Sequence, residues 1–265
     1  MENFIERIRK GFWQLKQPIT KKPKNNGEVI SDLFVWRNSK IWQTHFELMD
    51  ITGLFDIVHS TEKKFVEIFF FEADGTLIQN QRVEVYKNKR RTLDLSQFVV
   101  QAKSEYGTFC VFHLETPHQV AELGSFITER GYVGYNFENT NLRSYVHGNF
   151  DAVSFNSRSI SLLGGRSIFT REYSLQYSLT GPALYEFGLV NCTQHRRKVT
   201  CKFYSQESMN LIDAQTVTIN PGGIKIYAFN VSEAESARVV IESCLVMSRP
   251  LVFRTSKNRM DVFHG

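Results

Sequence analysis

From about residue 28 onward the chain consists of short apolar runs alternating with polar residues at a period near two. Turn-forming residues interrupt them about every 8 to 12 positions. Because successive side chains of an extended strand point to opposite faces, this rhythm writes strands with one buried and one wet face. Phe65 to Phe71 is an almost unbroken apolar run, and beyond Asp74-Gly75 the residues Leu77, Val83 and Val85 alternate with Gln, Arg and Glu. Asp-Gly supplies the backbone angles of a tight reversal. The polar turn "KNKRR" follows, then Leu93 and Leu95 alternate with Asp94 and Ser96, and "GTFCVFHLE" closes the group. No amphipathic stretch of about 10 to 15 residues separates these runs, which favours sandwich architecture over a helix-wrapped parallel sheet. The 22 Phe and 10 Tyr fit the same picture, since flat rings pack well on a pleated surface.

Shifted by 134 residues without a gap, this block meets a second one of the same shape. Lys64 falls on Lys198, Phe69 on Phe203, Leu77 on Leu211, Ile78 on Ile212, Gln81 on Gln215, Val83 on Val217 and Cys110 on Cys244. These are seven identities over the 51 positions from Lys64 to Leu114, and the turns coincide as well, "KNKRR" lying over "PGGIK". The expected fold is therefore all-β and mainly antiparallel: two tandem β-sandwich domains, Ig-like or jelly-roll-like, that read either as an internal duplication or as two unrelated β meanders sharing the period-two rhythm.

The organisation expected along the chain begins with a basic N-terminal arm or short helix over residues 1–27. A first β-sandwich over 28–115 follows, then a connecting helix over 116–131 and a second β-sandwich with a C-terminal tail over 132–265. The helix rests on Thr116 as N-cap, Pro117 at the first helical position, Gln119 completing a capping box and Gly131 as a stop. The net charge of +5 resides in residues 1–24, which hold seven Lys and Arg against two Glu; the other 241 residues hold 25 basic and 25 acidic groups. Nucleic acid is therefore not an expected partner of the globular part, while residues 1–24 could make weak contact with a membrane surface or a polyanion. No secretory pattern and no run of about 18 apolar residues is present, so a cytoplasmic location is expected. Cys110, Cys192, Cys201 and Cys244 show no paired spacing and read as small buried hydrophobes in a reducing compartment.

The stretch Phe70, Phe71, Glu72, Ala73, Asp74, Gly75, Thr76 and Leu77 resembles the nucleophile loop of the haloacid dehalogenase phosphatases, with Glu72 where that family carries its nucleophilic Asp. The extra methylene would shift an attacking oxygen by about a bond length, outside the near-attack distance of about 3 to 3.5 Å. The resemblance therefore implies no activity, and Asp74-Gly75 reads as a hairpin turn. No Gly-x-Ser-x-Gly is present, "LLGGRS" (Leu162 to Ser167) lacks the end of a phosphate-binding loop, and the seven His are dispersed. No metal site and no cofactor are expected. "NCT" and "NVS" match the glycosylation sequon, which carries little weight without a secretory signal.

Two stretches mix Arg, His and aromatic residues with Asn or Asp: "NLRSYVHGNF" (141–150) and "SRPLVFRTSKNRMDVFHG" (248–265). Charged forks and flat rings of this kind read sugars and anionic groups. Arg143, Tyr145, Asn149, Arg249 and Arg254 are the candidate ligand-binding residues. If the tail folds back, Asp261 and His264 approach His147, and the three are candidates for proton transfer. The expected function is a non-enzymatic binding or assembly module for a glycan or a protein partner. The alternative is an enzyme acting on a sugar or a phosphorylated small molecule at the domain junction, through His147, Asp261 and His264. Oligomeric state and strand order are not readable at this level.

Overall fold

The computed structural model describes residues 28–54, 63–86, 89–114, 128–138, 142–148, 150–233, 235–246, 249–257 and 259–265. The N-terminal arm, most of the expected connecting helix and Asn149 lie outside these residues.

In chain order the first strands are β1 (Val29–Ser31), β2 (Phe34–Arg37), β3 (Trp42–Leu48), β4 (Lys64–Glu72), β5 (Leu77–Val85), β6 (Arg91–Asp94) and β7 (Tyr106–His113). Next come β8 (Thr128–Glu129), β9 (Tyr132–Phe137), β10 (Ser144–His147), β11 (Val153–Phe155), β12 (Ile160–Leu162), β13 (Arg166–Ser174) and β14 (Leu179–Thr180). The last are β15 (Ala183–Val190), β16 (Arg197–Ser205), β17 (Leu211–Ile219), β18 (Ile224–Val231), β19 (Ser236–Leu245), β20 (Leu251–Ser256) and β21 (Arg259–His264). A single helical turn, α1 (Ile51–Leu54), and a 3₁₀ turn at Leu95–Gln97 complete the described elements.

The fold is all-β and mostly antiparallel, as the alternation requires, but the strands form five sheets in a propeller-like ring rather than two tandem sandwiches. The sheet β12-β11-β1-β8 packs on β2-β7-β4-β5 through Phe155 and Phe69, which meet at 5.3 Å between ring centroids. That second sheet faces β10-β9-β3-β6 through Phe109 and Phe46, 5.6 Å apart. The third meets β18-β15-β20-β21 where Trp42 and Tyr135 close on Phe253, at 5.1 and 5.0 Å. The fourth packs on β13-β19-β16-β17 through Phe187 and Phe203, and the chain between β12 and β13 returns to the first sheet.

The expected boundary at residue 116 is also corrected. β3 pairs with β6 on one side and with β9 on the other, Trp42 lying opposite Phe137, so residues 28–115 do not close a unit by themselves. The end of the expected connecting helix is strand: Thr128 and Glu129 pair in parallel with Ile30 and Ser31. Glu129 is buried there and accepts from His113 at 2.7 Å, a hydrogen bond that a helical path would have displaced. Gly131, expected to stop that helix, donates its N–H back to Glu129 Oε1 at 2.6 Å.

Four of the five sheets repeat. The order β2-β7-β4-β5 recurs as β13-β19-β16-β17, and β10-β9-β3-β6 recurs as β21-β20-β15-β18. The 134-residue shift carries β5 onto β17 residue for residue and carries Gly75 (φ +85°) onto Met209 (φ +56°), the left-handed residue of each hairpin. Gly75 also needs its missing side chain, since a Cβ would lie 2.1 Å from the Pro221 carbonyl of the second half.

The pattern of each sheet reports its burial. β17 is largely exposed and reads "LIDAQTVTI", whereas "ALYEFGLV" of β15 is nearly continuous in apolar residues. A strand covered on both faces reads this way. The sheet of β15 lies between two hydrophobic clusters, contributing Tyr185, Phe187 and Leu189 to one and Val190, Leu251 and Phe253 to the other. Glu186 of β15 receives a bidentate pair from Arg37 Nη1 and Nη2 at 2.8 and 3.0 Å.

The reversal at Asp74-Gly75 joins β4 to β5, with Thr76 N–H on Asp74 Oδ1 at 2.9 Å. Glu72 is structural. Its buried carboxylate accepts from Lys103 N at 2.8 Å, Ser104 N at 3.1 Å and Ser104 Oγ at 2.6 Å, tying the segment before β7 to the hairpin. Asn191 of the first sequon is fully buried and donates to the carbonyls of His195 and Ile219, so it holds a turn.

Candidate functional site

β10 and β21 meet edge to edge, which brings the two stretches singled out in the sequence together. Ser144 Oγ does the joining: it accepts from Val262 N at 2.9 Å and donates to Val262 O at 3.2 Å. Two concavities border this seam, one beside residues 142–144 and 259–261 and the other beside residues 146–148 and His264.

The larger is an open groove of about 720 Å³ bordered by Arg143, Arg254, Arg259, Glu138 and Asp261, with Leu142 and Met260 supplying apolar surface. Arg143 Nε donates to Asn136 Oδ1 at 3.0 Å, which anchors the guanidinium at the groove edge. Arg254 Nε donates to Tyr185 OH at 3.1 Å and its Nη1 to Asp261 Oδ2 at 3.3 Å, its cross-strand neighbour. Arg259 is exposed and has no ion-pair partner among the described residues. Three guanidinium groups thus face two carboxylates, and a guanidinium held by one N–H still presents a fork to an oxyanion.

The smaller is a cleft of about 40 Å³ whose polar border is His147, His264, Arg249 and Asp32. His264 Nε2–H donates to the His147 carbonyl at 2.6 Å, and the two imidazole rings lie 5.7 Å apart. His147 Nδ1–H in turn donates to the Gly148 carbonyl at 2.8 Å. Burial pulls the His264 pKa below its ordinary value of 6.5, the nearby charges of His147 and Arg249 act in the same direction, and the bond to the His147 carbonyl opposes them. A space of this size holds on the order of one water, not a substrate.

The structure therefore brings His264 to His147 but sends Asp261 elsewhere. Three residues apart on one strand, Asp261 and His264 lie on opposite faces about 10 Å apart along the chain. Asp261 joins the groove and His264 the cleft, so the three candidates for proton transfer do not share a concavity. Tyr145 lines neither concavity; its OH donates to Glu47 Oε1 at 3.2 Å. Arg249 sits in the cleft, and Asn149 lies outside the described residues. Sequence reasoning passed over Arg259 and Glu138. Arg259 was readable by parity, since it shares a strand face with Asp261.

Among the described residues no cluster of three or more His, Cys, Asp or Glu has metal-binding geometry, and no helix is long and apolar enough to cross a membrane. Cys110 and Cys192 are buried thiols pushed far up by desolvation, and the same cause raises Cys201 to about 12.

No protein-family description matches the chain, and no curated protein matches it. A solved structure of infectious bursal disease virus, Gx strain, aligns with 81% of this chain and 53% of that chain at 9% identity and a TM-score of 0.18. The chain spans about half the length of that protein, and an overlap of this quality carries neither fold nor function across.

Proposed function

We propose that the chain is a non-catalytic binding module and that an anionic ligand, a glycan bearing acidic groups, occupies the groove between the β9–β10 hairpin and β20–β21. The observation that carries this reading is the meeting of Arg143, Arg254 and Arg259 around one open groove with apolar walls at Leu142 and Met260. Arg143 is held by Asn136, and Arg254 by Tyr185 and Asp261, so little further ordering is needed when a ligand arrives. The separation of Asp261 from the two histidines supports binding over acid-base catalysis. A cytoplasmic location and weak polyanion contact by residues 1–24 belong to the same reading.

The test is binding of an acidic hexasaccharide and of inorganic polyphosphate to the full chain, with and without Arg143→Ala/Arg259→Ala. Loss of about one guanidinium-to-anion contact per site weakens affinity roughly tenfold or more. Both probes should weaken, with the melting point of the ligand-free variant near wild type. Equal affinity of variant and wild type for both probes would reject the groove.

A further inference from the structure

The outward face of β10-β9-β3-β6 carries a second feature that deepens this reading and rests on it. Tyr145 and His147 of β10, and Arg143 just before it, project to that face, while Ser144 and Val146 turn inward, Val146 being buried and Tyr145 44% exposed. Tyr145 lies opposite Gly134, which lies opposite His45, in one row across the sheet. The ring is seated directly on the Gly134 backbone: a Cβ at Gly134 would stand 2.7 Å from Tyr145 Cε1 and 3.2 Å from Cδ1 and Cζ. Its OH is tethered to Glu47 Oε1, and Glu47 is itself held by Thr92 Oγ1 at 2.9 Å. The aromatic ring is thus fixed on one face and at its tip, with its other face toward solvent.

A rigid, amphipathic ring of this kind gives contact area at little cost in ordering, and its π-face suits the C–H face of a sugar ring. Along the same face, Tyr132 is 56% exposed in the neighbouring row, opposite His147. Arg143, two residues before Tyr145 on the same side of β10, borders the arginine groove. In the row of Tyr145, buried His45 leaves its Nδ1 without a hydrogen-bond partner among the described residues. The sheet therefore presents a fixed stacking ring beside a fixed guanidinium at a spacing set by strand geometry, about 7 Å along β10.

We infer that the ligand is an acidic oligosaccharide lying across this face, one sugar ring stacked on Tyr145 and a neighbouring unit's carboxylate or sulfate bound by Arg143 at the mouth of the groove. Gly134 is then a positioning residue: its lack of a side chain is what lets the Tyr145 ring lie flat. A small anion without sugar rings uses the guanidiniums alone.

The experiment is titration of the full chain with an acidic hexasaccharide and, separately, with inorganic polyphosphate, for wild type, Tyr145→Ala, Tyr145→Phe and Gly134→Ala. The inference expects Tyr145→Ala and Gly134→Ala to weaken the hexasaccharide about tenfold while polyphosphate stays within twofold. Tyr145→Phe, which keeps the ring, should bind the hexasaccharide within a few-fold of wild type. Unchanged hexasaccharide affinity in Tyr145→Ala, with Arg143→Ala/Arg259→Ala still impaired, overturns the platform and leaves the groove standing. Equal losses for both probes in Tyr145→Ala also overturn it, because the ring would then act only by supporting the guanidinium. Insensitivity of both probes to the arginine variant removes the groove itself.

Discussion

Arg37 and Glu186 tie the two repeats together, and the cost of separating them follows from the geometry. Their side chains are 10% and 15% exposed and share two hydrogen bonds, while the Arg37 guanidinium carbon stands 4.2 Å over Trp42 and 4.7 Å over Phe253. Removing one partner of a buried pair strands the other charge, at about 3 to 5 kcal/mol. The remaining exposure places this pair toward the lower end. The two truncations should nevertheless differ. Glu186→Ala leaves a cation that keeps both ring contacts, together about 1 to 2 kcal/mol. Arg37→Ala leaves a carboxylate on an apolar sheet with nothing to replace the cation. We expect about 3 kcal/mol for Glu186→Ala and about 4 for Arg37→Ala, with the double variant costing clearly less than the sum. For a chain of this size a loss of 3 kcal/mol lowers the melting point by about 6 to 12 °C. Urea unfolding monitored by tryptophan fluorescence suits the measurement, because Trp42 lies at the junction. Single losses below 1 kcal/mol, or strict additivity, would refute the claim that this pair couples the two halves.

Glu72→Ala should lower stability by about 1 to 3 kcal/mol, by orphaning the Ser104 hydroxyl and the Lys103 and Ser104 amides. Burial acts to raise the Glu72 pKa, but these hydrogen bonds outweigh it and hold the group below its ordinary 4.5. Its contribution is therefore present above that value and lost as pH falls through the depressed folded value, so acid unfolding curves of wild type and Glu72→Gln should converge at low pH. The fold favours neutral His264, so stability is full above pH 6.5 and declines below it as the unfolded chain takes up the proton first. His264→Gln should flatten part of that slope between pH 5 and about 7. His45, lowered chiefly by burial and secondly by the Arg143 charge, keeps the remainder. An unchanged slope in His264→Gln would show that the imidazole is not held neutral.

Local pattern carried the strands and turns because both are set within a few residues. The run Phe65–Phe71 and the alternation after Asp74-Gly75 became β4 and β5, and the reversal lies at the expected dipeptide. Nothing local states which strand lies beside which. β3 draws one neighbour from residue 91 onward and the other from residue 132 onward, so a boundary placed by counting runs could not fall where the packing puts it. Thr128-Glu129 reads as the end of a capped helix by propensity. The parallel pairing with β1 and the buried His113–Glu129 pair override that preference with tertiary contacts.

The candidate site divides along the same line between local and long-range information. That two Arg-, His- and aromatic-rich stretches share a neighbourhood was readable only on the condition that the tail folds back, because the contact of β10 with β21 is long-range. Which members share a face is a matter of parity along each strand. On β21 it assigns Arg259 and Asp261 to the groove and His264 to the other side, and on β10 it sends Arg143, Tyr145 and His147 outward together. The repeat adds a physical reason for the asymmetry. The sheet β21-β20-β15-β18 corresponds to β10-β9-β3-β6, yet it is apolar on both faces because the first half packs against it. Its counterpart keeps one face in solvent, and there the chain places a tethered tyrosine, a seated guanidinium and the buried polar groups beneath them. Of two sheets with one topology, the one relieved of packing is the one free to carry a ligand surface.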